Sequence, residues 1–222
     1  MPIAEVIKLS QTNKRQNLFD RWASTYDEDL EGKEAFPFFG YDAVLQSMLT
    51  AAELQPGHRV LDVGVGTGNL ARRLPIPVDQ IWGLDFSAAM LEKARLALPA
   101  AHLIQADLVG EDWLAKIEQR FECILSAYTL HEFPDPLKIK ILTKLAKNSL
   151  KADGAMIIGD ISFQHQADYH FVRKKFFDSW DEDEYYWCAE PLAGMLNQAG
   201  FSVHYEQISI CAGTYQLRWK GY

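Results

Sequence analysis

From residue 58 onwards, short apolar runs alternate with amphipathic stretches, a pattern that predicts parallel strands joined by crossover helices. Val60, Leu61 and Val63 suit a strand buried on both faces. Residues 80–84, 103–108, 121–126 and 155–161 repeat that composition. Between them, Ser87 is placed to cap a helix running to Ala94, and residues 113–117 read as a short helix. Residues 135–150 form a longer helix whose Leu137, Ile141, Leu142, Leu145 and Leu150 make one stripe, with Pro136 in its first turn. Leu70 to Leu74 begins a helix, capped by Asn69, that Pro75 and Pro77 cut short. Residues 168–180 and 191–199 read as helices, and 201–208 and 213–219 as a closing antiparallel pair of strands. Upstream, Leu18, Phe19, Trp22 and Tyr26 share one face of a helix over 17–29, and Phe36, Phe38 and Phe39 hold a loop. Val44, Leu45, Met48 and Leu49 mark a further helix stopped by Pro56-Gly57. The expected fold is one doubly wound α/β domain, with residues 1–57 as a helical cap and 58–222 as the sheet and its helices.

Composition narrows what such a domain does. A chain of 222 residues suits one sizeable core. A net charge of −8 disfavours tracking of nucleic acid or attachment to anionic membranes and favours a small or cationic partner. Cys123, Cys188 and Cys211 are odd in number and widely spaced, as in a reducing compartment. Residues 1–16 lack an apolar segment of signal-peptide length, so a soluble, cytoplasmic protein is expected. His165 and His170 have no partners at ligand spacing, and no metal site is assigned.

The chemistry concentrates after the first strand, in Asp62-Val63-Gly64-Val65-Gly66-Thr67-Gly68. A dinucleotide fingerprint would need its third glycine at position 69, which is Asn69, so a nicotinamide oxidoreductase is the weaker alternative. Asp85, at the end of the second strand, stands where nucleotide-binding sheets place the acid for ribose hydroxyls, or else caps the following helix. The end of the fourth strand, running through Ser126, Tyr128 and His131, borders the place where ligands bind in open parallel sheets.

An acidic residue followed by alternate glycines resembles the first motif of the class I methyltransferases that use S-adenosylmethionine. Asp20, Trp22, Ala23, Tyr26 and Asp27 resemble that family's opening segment, which closes over the cofactor, and 86–94 resembles its second motif. Within the family, Gly64 to Leu70, Ser126 to Phe133 and the Tyr-Tyr before Pro191 resemble small bacterial methyltransferases of the YrrT type. The resemblance implies a Rossmann-like, mostly parallel seven-stranded sheet with an antiparallel terminal hairpin. It implies S-adenosyl-L-methionine as cofactor, S-adenosyl-L-homocysteine as product, and a small-molecule acceptor. Tyr26, Asp62, Gly64, Gly66, Gly68, Asp85, Phe86, Met90, Ala106, Asp107 and Ser126 are then the cofactor-facing residues, with Tyr26 set to meet the sulfonium and Ala106 and Asp107 at the adenine. Asp107 reads equally well as a cap of the helix near Trp113. The family's base-modifying members carry Asn/Asp-Pro-Pro-Tyr/Phe where this chain has Ser126-Ala127-Tyr128-Thr129, which points to another acceptor. His131, near Tyr128, is either a general base or a hydrogen-bonded wall residue. The run Asp181-Glu182-Asp183-Glu184 beside Tyr185, Tyr186 and Trp187 is either a solvated surface or part of a lid. A non-catalytic cofactor sensor is the remaining alternative.

Overall fold

Four consecutive buried residues make β1 (Val60–Val63) a central strand, paired in parallel with β2 (Ile81–Asp85) on one side and β4 (Phe121–Ala127) on the other. The computed structural model describes residues 15–30, 35–110 and 113–221. Beyond β2 lies β3 (His102–Gln105), and beyond β4 lie β5 (Leu150–Phe163), β8 (Ala212–Trp219) and β7 (Phe201–Gln207), giving the order β3-β2-β1-β4-β5-β8-β7. The expected terminal hairpin is present, and β8 runs antiparallel to both its neighbours, so β7 points the same way as β5. A two-residue strand, β6 (Trp187–Cys188), pairs with the end of β5 off this path. It is too short to leave a periodic signal in the sequence.

Side chains alternate across the sheet, as strand geometry requires. Val60, Leu125 and Ile157 pack on one face beneath α3 (Tyr41–Ala51), α4 (Ala88–Ala97) and α6 (Gln166–Lys175). Leu61, Ile124 and Met156 pack on the other beneath α5 (Asp135–Ser149) and α7 (Ala189–Gln198). Val44, Leu45 and Met48 of α3 are fully buried, and a side chain at Gly159 of β5 would run into Met48 and Val44. The strand order reverses between β1 and β4. Their carboxyl ends diverge there and open a crevice.

Four expected helices take other forms. The first divides into α1 (residues 15–22) and α2 (Tyr26–Leu30), separated by a turn at 23–25. Asp20 reaches the hydroxyl of Ser87, while Asp27 accepts from Thr67 Oγ1 at 2.6 Å, and these two anchors face different loops. After the glycine loop there is one 3-10 turn (Ala71–Arg73), and Asn69 does not cap it. Asn69 instead donates to the Tyr41 hydroxyl at 3.1 Å and accepts from Arg72 at 2.8 Å. Trp113–Lys116 is likewise a 3-10 turn. Residues 168–180 divide into the end of α6 and a 3-10 turn at Phe177–Ser179. No helix among the described residues is long and apolar enough to cross a membrane.

Candidate functional site

The crevice holds a cavity of about 600 Å³, mouth included, with Gly64 and Gly66 from the loop after β1 on its floor. Asp85 and Phe86 enter from the end of β2, Met90 from α4, and Ala106 and Asp107 from the end of β3. Tyr26 and Phe19 come from the N-terminal helices, and Tyr128 from the end of β4. Residues far apart in the chain thus meet because each terminates, or follows, a parallel strand. Ser87 caps α4, its hydroxyl accepting from the Met90 N–H at 3.1 Å, which fixes the helix turn that carries Met90 to the wall.

Two buried carboxyls sit under this floor. Asp85 accepts from the N–H groups of Gly66 at 2.9 Å and Ser87 at 2.8 Å, so one side chain ties the glycine loop to the start of α4. Burial raises its pKa, these hydrogen bonds partly offset that, and the result is about 6. Asp62 is 1% exposed, and its Oδ1 has no hydrogen-bond partner among the described residues. Burial first, and the Asp85 charge second, push its pKa up to about 7. It lines a smaller recess that continues the cavity past Tyr26 and Gly64. Of the loop's N–H groups, that of Gly66 is held by Asp85 and that of Gly68 by the Val65 carbonyl at 2.9 Å.

Three expected residues are placed differently. Ser126 donates to the Val63 carbonyl at 2.9 Å, a tie between β4 and β1, and does not line the cavity. Gly68 also stands off it; a Cβ there would meet Leu98 Cδ1 at 2.9 Å, so its role is close packing on α4. Asp107 reaches the cavity, yet its carboxylate closes a local turn by accepting from the Val109 N–H at 2.9 Å rather than capping the turn near Trp113.

Gly64 and Gly66 have opposite reasons to be glycine. Gly64 has φ +77, and a Cβ would overlap the Thr129 side chain; Gly66 has φ +53, and a Cβ would enter open space. Gly64→Ala is expected to lower folding stability by roughly 1–3 kcal/mol through strain and overlap. Urea unfolding followed by circular dichroism checks this, and an unchanged midpoint would contradict it.

A second cavity, about 630 Å³ with its mouth, adjoins the first and shares Phe19, Tyr26 and Tyr128 with it. His131 lines it, with Nδ1 on Asp160 Oδ1 at 2.6 Å and Nε2 at 3.6 Å from Glu184 Oε1. Burial alone would lower the His131 pKa; the Asp160 carboxylate, by charge and hydrogen bond, outweighs it and brings the value to about 9. The hydrogen bond to Asp160 holds the ring in the wall of this cavity, and the raised pKa favours its protonated form. Burial likewise holds the Tyr26 and Tyr128 hydroxyls well above their ordinary range. The acidic run divides. Glu182 pairs with Arg173 at 2.7 Å on the surface, whereas Asp181 and Glu184 turn to the cavity. Phe36, stacked between Phe176 and Trp180 at 5.2 and 5.5 Å, holds that segment in place.

Sequence reasoning did not single out Asp160, Arg15 or Glu132. Asp160 has no exposure and accepts from the His131 side chain and N–H, from Trp187 Nε1 at 3.0 Å and from Ile161 N–H at 2.8 Å. One acid inside the apolar run Ile157-Ile158-Gly159-Asp160-Ile161 was the available signal. Arg15 lies against the rings of Phe86 and Phe133 and pairs with Glu132 at 2.7 Å, closing one side of the first cavity. His131, Glu132 and Glu184 bring possible ligand atoms within 4.8 Å of one another. Glu132 is held by Arg15, and Asp160 and Glu184 flank His131, so these side chains form an ion-pair cluster.

Residues 60–154 match the model of a methyltransferase domain. The chain is 31% identical over 203 residues to an uncharacterized methyltransferase of Geobacillus kaustophilus, covering 86% of this chain and 90% of the relative. It is 28% identical to the uncharacterized methyltransferase YrrT of Halobacillus halophilus, covering 91% and 96%. In fold it resembles a DhpI–SAH complex, with a TM-score of 0.70 at 18% identity over 95% of this chain and 98% of that one. An S-adenosylmethionine-dependent methyltransferase of Clostridium acetobutylicum gives 0.64 at 14% identity over 92% and 100%.

Proposed function

The chain belongs to the class I S-adenosylmethionine-dependent methyltransferases, and on that premise we propose that it methylates a small molecule held in the second cavity. The observation that carries this reading is the wall of Phe19, Tyr26 and Tyr128 common to both cavities. The first cavity fits the cofactor. Asp62, with its buried partnerless oxygen, is suited to the ammonium, Asp85 to the ribose hydroxyls, Ala106 and Asp107 to the adenine edge, and Phe86 and Met90 to its faces. When bound, the cofactor supplies a methyl group already activated by its sulfonium. The protein therefore needs mainly to align the acceptor and exclude water, an effect worth roughly 7–11 kcal/mol in favourable intramolecular models. Asp20 and Asp27 serve this by docking α1 and α2 onto Ser87 and Thr67, which places Tyr26 between the two cavities. The net charge of −8 agrees with an acceptor other than nucleic acid.

Calorimetric titration with S-adenosylhomocysteine, run beside NADH, tests the cofactor, and formation of S-adenosylhomocysteine from a panel of small thiols, amines and phenols tests the acceptor. Micromolar binding of the first ligand alone with turnover of a small molecule is expected. Tight binding without turnover favours a sensor. Gly66→Ala is expected to weaken binding, because its Cβ enters the open space at the cavity floor and its backbone is strained at φ +53; circular dichroism checks that the fold is kept.

Binding is also expected to release a proton. Asp62, at about 7, and Asp85, at about 6, are partly protonated in weak acid, whereas an ammonium and hydroxyl donors favour their ionised forms. Affinity should therefore fall as pH drops below about 7 and level off above it. Titrations at about pH 6 in two buffers of different ionisation enthalpy read the released proton directly. Identical heats would contradict the assignment.

A further inference from the structure

The second cavity has a chemical character of its own. Aromatic side chains wall it, among them Trp22, Phe38, Tyr128 and Tyr186, and two carboxylates, Asp181 and Glu184, face it. No lysine or arginine is among the described residues that line it. His131 brings one positive charge, which Asp160 at 2.6 Å behind it already balances, with Glu184 at 3.6 Å in front. Glu184 and Asp181 are then left in excess. Tyr128 is 7% exposed, borders both cavities, and its buried hydroxyl has no hydrogen-bond partner among the described residues.

Ring faces and an uncompensated carboxylate attract a cation. An anionic head group would lose its hydration and meet no permanent side-chain cation in return. We propose that the acceptor is an organic amine with an apolar body, its nitrogen directed to Glu184 and Asp181 and its body against the aromatic wall. This rests on the methyl-transfer reading above and names the substrate class of that site. The chemistry balances within it. Glu184 takes the proton that leaves the ammonium and frees the nitrogen lone pair. That pair forms the new C–N bond while the S–C bonding pair leaves with sulfur, so the positive charge passes from sulfur to nitrogen. Burial holds the Glu184 carboxyl above its ordinary range, which makes it a better proton acceptor than an exposed glutamate.

Phenethylamine, hydrocinnamate and phenethyl alcohol share a body and differ in the head group, and each is titrated into protein saturated with S-adenosylhomocysteine. The amine is expected to bind at least about tenfold more tightly than the carboxylate. Glu184→Gln, which keeps the shape and removes the charge, should weaken the amine by about tenfold and leave S-adenosylhomocysteine affinity unchanged. Preference for the carboxylate, equal binding of all three, or no binding of the amine at millimolar concentration overturns the proposal. So does a Glu184→Gln variant that binds the amine as well as the parent. Failure of S-adenosylhomocysteine to saturate the protein would instead strike at the methyl-transfer reading, so the two are separable.

Discussion

Replacing Asp160 with alanine is expected to cost about 3–5 kcal/mol of folding stability, because it strands a buried partner of an ion pair. The carboxylate is wholly buried and holds three other groups, the Trp187 indole and the N–H groups of His131 and Ile161, besides the imidazole. Removing it leaves these donors without an acceptor in a site too dry to replace it cheaply. The same pair sets a pH dependence. The pKa of His131 is raised from 6.5 to about 9 in the folded protein, so the stabilisation is fully present below 6.5 and is lost as pH rises through about 9. The shift corresponds to about 3 kcal/mol. The raised Asp62 and Asp85 carboxyls act in a lower window, between 3.8 and about 7, where stability falls as pH rises because the folded state retains their protons. Loss of stability between about 7 and 9 therefore belongs chiefly to His131. Urea unfolding across that range should show it in the parent and lose it in Asp160→Asn, whose side chain is neutral. A slope that survives in Asp160→Asn would remove the ion pair from the account.

Asp85→Ala is expected to weaken S-adenosylhomocysteine binding by about 10- to 100-fold, the equivalent of charged hydrogen bonds worth roughly 1.5–3 kcal/mol. Two losses combine. On the assignment proposed above, the ribose hydroxyls lose their acceptor, and the Gly66 and Ser87 N–H groups lose the carboxylate that holds the glycine loop against α4. Asp85→Asn separates them, since its amide oxygen can still accept one of the two N–H groups while the charge is gone. Binding by the asparagine variant should lie between the parent and the alanine variant. Equal affinity of Asp85→Ala and the parent, with unchanged circular dichroism, would reassign Asp85 to capping alone.

Where local pattern and global fold agree, the sequence was a dependable guide. The apolar run at Val60–Val63, the glycines after it and the acid at Asp85 are local features, and each stands at the end of a strand where the reading put it. Ser87 caps its helix for the same reason, since a cap depends on neighbours three residues away. The failures share a cause as well. Asn69 has the chemistry of a cap, but Pro75 and Pro77 leave no helix to cap, and Tyr41, Arg72 and Arg73 take its side chain. Ser126 has a hydroxyl near the right strand end, but its partner is a carbonyl 63 residues away. Nothing near Ser126 in the chain announces that partner, and nothing near Asn69 announces Tyr41.

The layers, the glycine loop and the carboxylates beneath it were legible in the sequence, because hydrophobic period, glycine freedom and strand-end position are properties of a few adjacent residues. Only the tertiary structure decided what those groups do electrically. The His131 pKa rose when β5 brought Asp160 to 2.6 Å. Asp62 became a weak acid when burial denied its Oδ1 a partner. The acidic run divided between surface and cavity when the stacked rings of Phe36, Phe176 and Trp180 fixed its path. Charge state depends on burial and on long-range neighbours, and both exist only once the chain has folded.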